Sequence, residues 1–171
     1  MAVDIFLQIP GVKGETTDTQ FASVFAIDVQ SWSWGMTQAG GAAMGTGSGT
    51  GKVNIQDLSL TKFTDRASPT LMAACCGGTA YGTSASTPVV LTMRKSGGPK
   101  PLVYMQISLF NVTISSVTPA TSSTNDLQTE QISLHFGAFQ VVYTPQNAGG
   151  TGDPSVTMTW NVAGNSPKLP G

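Results

Sequence analysis

The chain has 171 residues, 40% hydrophobic and only 10% charged, and its 8 basic and 9 acidic side chains leave a formal charge of −1. That balance excludes a strong phosphate-facing field, so nucleic acid is not an expected partner. The chain is too hydrophobic and too weakly charged for whole-chain disorder, and its length suits one domain with one sizeable core.

Val3, Ile5, Leu7 and Ile9 alternate with Asp4, Phe6 and Gln8 and predict a first strand, closed by a turn at Pro10-Gly11. This opening has no basic segment and no continuous apolar stretch, so a cleaved secretory signal is not expected. The chain is then made in the cytoplasm and leaves, if it leaves, by another route. No apolar run approaches the roughly 18 residues of a membrane span, so no membrane partner is expected.

Phe25, Ile27 and Val29 begin a second strand, after which the apolar set jumps to Trp32 and Trp34. Odd positions become even, which requires a bulge or bend near Gln30-Ser31. Residues 35–51 are almost wholly Gly, Ala, Ser and Thr with two Met, and are expected to form an extended loop without strand or helix. Gly51-Lys52 imitates a phosphate loop, but Thr46 stands where the first Gly belongs, Val53 replaces the hydroxyl residue, and a strand follows where a helix is needed. Lys52 to Thr64 resumes as a strand, with a slip of phase at Gln56-Asp57.

Ser68 as N-cap, Pro69 at the first helical position, an apolar run from Leu71 to Cys76 and a stop at Gly77-Gly78 predict one helix. At roughly eight residues it must pack on a sheet to exist. Cys75 and Cys76 are read as small apolar residues buried on it; two adjacent cysteines make neither a disulfide framework nor a zinc site. Val89, Leu91 and Met93 form the next strand and Gly97-Gly98-Pro99 a turn. Two long strand patterns follow, Leu102 to Val117 and Leu127 to Tyr143, separated by a polar loop from Thr121 to Asp126. A Gly-rich turn, Pro145 to Pro154, precedes a last strand of Val156, Met158, Trp160 and Val162. Residues 1–163 are expected to form a single domain and 164–171 a flexible tail. The pattern is mainly β: an antiparallel sandwich or barrel with one short helix.

Tests for chemistry fail. His135, the only histidine, alternates with apolar neighbours on a strand, and no Ser sits in a G-x-S-x-G elbow. Asp57 and Asp65 flank one predicted strand and Glu130 lies on another, and no spacing pairs them. The sequon Asn111-Val112-Thr113 lies inside a strand pattern and is read as chance. No cofactor or metal is expected, and the chain is read as no enzyme; a β-sandwich hydrolase using His135 and a lipocalin-like carrier stand as alternatives. Trp32, Trp34, Phe63, Phe136, Phe139 and Trp160 supply core mass. Ser31, Ser33, Thr61, Ser108, Thr113, Ser115 and Ser133 fall on the opposite faces of strands. A charge-poor, hydroxyl-rich face suits close protein contact or a wetted channel wall, and so little charge gives little repulsion against self-association.

These residues resemble the Hcp family, the tube proteins of type VI secretion systems. The resemblance rests on Ala2-Val3-Asp4-Ile5-Phe6, Gly11-Val12-Lys13-Gly14-Glu15 and Ser31-Trp32-Ser33-Trp34-Gly35-Met36. It continues in Gly51-Lys52-Val53-Asn54-Ile55-Gln56-Asp57-Leu58, Ser68-Pro69, Leu71-Met72, Arg94-Lys95, Val112 to Val117, and Thr129-Glu130 to Tyr143-Pro145. It implies two antiparallel sheets in a barrel-like body with a helix on the side. It also implies homohexameric rings that stack into a tube, sheath and spike components as partners, and small effector proteins carried in the ring lumen. It further implies that the tube is secreted on sheath contraction. A phage-type tail-tube protein is an alternative with the same plan. On this view Met36, Gln38, Met44, Thr46, Ser48 and Thr50 of the loop are expected at ring and stacking interfaces, and Ser31, Ser33, Thr113 and Ser115 on the lumen wall.

Overall fold

A computed structural model describes residues 3–38, 52–96, 101–121, 127–147 and 149–169. Its strands are β1 (Val3–Gln8), β2 (Ile27–Asp28), β3 (Ser31–Ser33), β4 (Met36–Thr37), β5 (Asn54–Ile55), β6 (Leu58–Phe63), β7 (Ala80–Tyr81), β8 (Val89–Lys95), β9 (Leu102–Phe110), β10 (Val112–Ala120), β11 (Thr129–His135), β12 (Ala138–Tyr143) and β13 (Val156–Asn161), with one helix, α1 (Ser68–Gly77). They assemble into a six-stranded sheet ordered β13-β12-β9-β8-β1-β2, a five-stranded sheet ordered β3-β6-β11-β10-β7, and a ribbon of β4 and β5. Every pairing is antiparallel, and neither large sheet closes on itself.

The chain passes between the sheets at corners. The phase jump at Gln30-Ser31 is one: β2 belongs to the six-stranded sheet and β3 to the other. Each long strand pattern, expected as one strand, is two. Asn111 breaks the first with a left-handed φ of 51°, a conformation Asn tolerates. Phe136-Gly137 breaks the second. The corners adjoin: Gly137 N–H donates to Phe110 O at 2.9 Å, and a Cβ on Gly137 would come 3.3 Å from that of Asn111. Lys52 to Thr64 likewise divides at Gln56-Asp57, where the phase slips.

Leu7, Ile27, Leu58, Leu60, Leu91, Met93, Ile107, Leu109, Ile132, Leu134 and Phe139 are buried between the layers. Trp34 meets Phe136 and Phe139 edge-on at 5.6 and 4.7 Å, and its indole N–H donates to Gln56 O at 2.9 Å. Several expectations about side chains are corrected. Phe63 is half-buried on the far face, because Leu58, Leu60 and Lys62 hold the inward positions of β6. Phe25 lies outside β2 and is exposed, with a left-handed φ of 53° after a short 3₁₀ turn. Trp32, Trp34 and Trp160 only border the core, and Val156 and Met158 are exposed on the edge strand. Met36–Thr37, expected as loop, pairs with Asn54–Ile55.

The helix is found where expected, with a different cap. Ala67 is its N-cap, and Asp65 starts the turn by accepting from Ala67 N–H at 2.9 Å. Ser68 is buried, and its hydroxyl joins a charged cluster. Lys62 Nζ sits 2.7 Å from Glu130 Oε1, 2.8 Å from Asp65 Oδ1, 2.7 Å from Phe63 O and 3.1 Å from Ser68 Oγ. Ser68 Oγ in turn donates to Glu130 Oε1 at 2.7 Å. An isolated ammonium in the core would be prohibitively costly; two carboxylates and a carbonyl make it tolerable, and the cluster fixes where α1 meets β6 and β11. Leu71 and Ala74 bury the inner side of the helix, while Cys75 is only half-buried and Cys76 exposed. The expectation of two buried cysteines fails because Leu71 and Ala74 hold the inward face, which leaves Cys75 at the border of the core and Cys76 outside it.

Candidate functional site

The outer face of the five-stranded sheet is built by alternation. Leu58, Leu60, Ile114, Ile132 and Leu134 point inward, so their neighbours point out. Cross-strand register aligns Ser31, Thr61, Gln131 and Thr118 in one row, and Ser33, Ser59, Ser133 and Ser116 in the next. Ser59 and Ser133 hydroxyls are 3.2 Å apart, and Thr113 opposes His135. Among the described residues, the outward strand positions of this face hold no Asp, Glu, Lys or Arg. The four expected lumen residues share this sheet: Ser31 and Ser33 on its edge strand β3, Thr113 and Ser115 on β10. Ser31, Ser33 and Ser115 are exposed and Thr113 half-buried, with Ser115 the extra residue of a bulge between Ile114 and Ser116. Ser108 is separate, half-buried in the six-stranded sheet.

One end of this face carries a Ser, an Asp and a His in contact, in an order that defeats hydrolysis. Asp57 stands in the middle, with Oδ1 2.9 Å from His135 Nδ1 and Oδ2 accepting from Ser115 Oγ at 2.6 Å. A nucleophilic serine needs the imidazole beside it; here its partner is a weakly basic carboxylate. Burial pushes the Asp57 carboxyl upward, but the hydrogen bonds from Ser115 and His135 outweigh it and hold it below the usual range. The trio fastens the β5–β6 corner to β10 and β11. Among the described residues no group of three His, Cys, Asp or Glu is placed to hold a metal ion.

A second charged cluster fastens the long segment between β1 and β2. Arg94, on β8, is 6% exposed. Its Nη2 lies 2.8 Å from Asp4 Oδ2 and 2.5 Å from Asp18 Oδ2, and Nη1 lies 3.3 Å from Gln20 Oε1. The guanidinium also lies 5.1 Å from the Phe6 ring, which stacks on Phe21 at 4.2 Å. The hydrogen bond from Arg94 holds the Asp18 carboxyl below its ordinary value; Asp4 is lowered by Ser96 and then by Arg94.

Of the expected loop residues, Met36 lies on β4 with Gln38 just beyond it, while Met44, Thr46, Ser48 and Thr50 lie outside the described residues. Met36 and Gln38 line a cleft of about 250 Å³ between the ribbon and the β12–β13 edge, with Val53, Ile55, Phe139, Met158, Trp160 and Asn165. The periodicity of β13 hid this feature: alternation predicts an inward row for Val156, Met158 and Trp160, but β13 is the edge of the sheet and the first two are exposed.

Comparison with known proteins places this architecture. The family described as "Type VI secretion system effector, Hcp" matches residues 6–143. Protein hcp1 of Pseudomonas aeruginosa is 45% identical over 166 residues, covering 96% of this chain and 98% of that protein. Hcp1 from Salmonella typhimurium, 30% identical, superposes with a TM-score of 0.75 over 96% of this chain and 98% of its own. A type six secretion system protein with 24% identity matches in fold with a TM-score of 0.86, over 98% and 100% of the two chains. Hcp proteins are secreted structural proteins of type VI systems and not enzymes, which removes the hydrolase and carrier readings. Among the described residues no helix is long and apolar enough to cross a membrane. The chain belongs to the Hcp family of type VI secretion proteins.

Proposed function

We propose that the chain is the subunit of a secreted tube: six copies form a ring, rings stack, and the outer face of the five-stranded sheet lines the hole. The observation that carries this reading is that face, with rows of hydroxyls, no Asp, Glu, Lys or Arg on its described outward strand positions, and an edge at β3. Uncovered hydroxyls stay hydrated without fixing a charge sign, which suits a wall past which varied small effector proteins must slide. Ser31, Ser33, Thr113 and Ser115 belong to the wall, and residues 35–51, including Met36, Gln38, Met44, Thr46, Ser48 and Thr50, to the contacts within and between rings. Sheath and spike components are the further partners.

Negative-stain microscopy with light scattering tests the ring: annular particles of about six protomers are expected, and a monomer in concentrated solution refutes it. The same preparation tests the wall. In a Cys75→Ser, Cys76→Ser background, Ser33→Cys is expected to react with a small maleimide but not, in the ring, with one tethered to a bulky protein. Equal reaction with both puts this face outside.

A further inference from the structure

We infer that ring neighbours meet through the two edges of the six-stranded sheet, the Val24–Phe25 turn of one copy entering the cleft between ribbon and edge strand of the next. This contact rests on the ring reading above and says which surfaces make it.

Each half presents exposed apolar side chains. On the β13 side, Met36 and Met158 are 44% and 42% exposed and line the cleft, and the buried Trp160 indole N–H has no acceptor among the described residues. On the β2 side, Val24 and Phe25 are 40% and 45% exposed. Phe25 is presented by a left-handed backbone, rare for a bulky residue, and pinned there: its N–H donates to Ala22 O and its carbonyl accepts from Gly14 N–H at 2.8 Å. Within the subunit the ring meets Lys13, whose Nζ lies 5.3 Å from its centroid, and nearly half of Phe25 is left to solvent.

The register sets both at one level. Ile27, Leu7, Leu91, Ile107, Val141 and Met158 are successive cross-strand partners, so the strand that follows Phe25 and the edge strand with Met158 share one row across the sheet. A contact between different patches closes a ring when the rotation it imposes divides the circle without a rise along the axis, and two patches on one row of the sheet favour a contact without rise. Charge agrees. On the β2 side, Asp4, Glu15, Asp18 and Asp28 outnumber Lys13, Arg66 and Arg94 by one. Beside the cleft, exposed Lys52 and Lys168 adjoin the Val53 and Asn165 segments, with Asp153 before the far end of β13. The occupant of the cleft is therefore a second copy of this chain, held by apolar contact and weakly attractive fields.

Cross-linking tests it. In a Cys75→Ser, Cys76→Ser background, Phe25→Cys combined with Met158→Cys is expected to give, with a short bis-maleimide, a covalent ladder up to six protomers, absent from either single variant. Phe25→Asp is expected to raise the protomer concentration for half-assembly at least about 10-fold with an unchanged thermal melt of the separated subunit. Rings that form normally but yield no ladder, or that ignore Phe25→Asp, overturn the contact and leave the ring reading standing. Absence of rings from the unsubstituted protein overturns both.

Discussion

Lys62→Met removes the cation from a site whose two carboxylates stay behind. Lys62 and Glu130 side chains are fully buried and Asp65 is 13% exposed, so Asp65 reaches water while Glu130 does not. Glu130 Oε2 already lacks a partner, and without Lys62 the carboxylate keeps only the hydroxyl of Ser68. Breaking a buried pair from one side costs about 3–5 kcal/mol, which lowers the melting temperature of a chain this size by about 6–20 °C. Lys62→Met with Glu130→Leu removes the stranded charge as well and is expected to recover most of that loss, since Asp65 retains its bonds to Ala67 and Ser68. The assay is urea unfolding with thermal melts at one fixed protomer concentration, because assembly adds to apparent stability. A single variant within about 1 kcal/mol of the parent, or a double variant no better than the single, refutes the reasoning.

Acid should loosen the Arg94 clamp. Because Arg94 lowers the folded-state value of Asp18, the stabilisation is complete above the unfolded carboxyl value of about 3.9 and is lost as pH falls through the lower folded value. Asp18→Asn is then destabilising at neutral pH, and its deficit shrinks below about pH 4; a deficit constant across that range contradicts the linkage. Gly14→Ala is expected to cost at least about 2 kcal/mol, since the added Cβ would overlap Ala26 O and sit 2.8 Å from buried Ile27 Cγ1. Urea midpoints at equal slope measure it, and a neutral result contradicts the close approach of residues 14 and 26.

Elements with a strong period were legible in the sequence. The alternation of Leu7, Leu91, Met93, Ile132 and Leu134 is the core row, and the slip at Gln30-Ser31 marked a real passage between sheets. What periodicity could not show is where an unbroken pattern bends. Asn111 and Gly137 interrupt apolar runs without shifting their composition, and only a third dimension turns each run into two strands. Lys62 was hidden for a related reason: its place after Leu58 and Leu60 points inward, but a charge there reads as a surface residue until Glu130 and Asp65, distant or out of phase in sequence, arrive beside it. The hydroxyl face was readable residue by residue, except that Ser108 belongs to the other sheet. The apolar cleft was not, because exposure at Met158 depends on β13 having no outer neighbour.

The adjoining corners at Asn111 and Gly137 give the subunit a mechanical property. Two backbones run without interruption from one layer into the other, side by side, and Gly137 ties the pair through Phe110 and Val162. Sliding one layer over the other would strain covalent chain and not merely part side chains, so a push applied to one layer is carried to the other as tension.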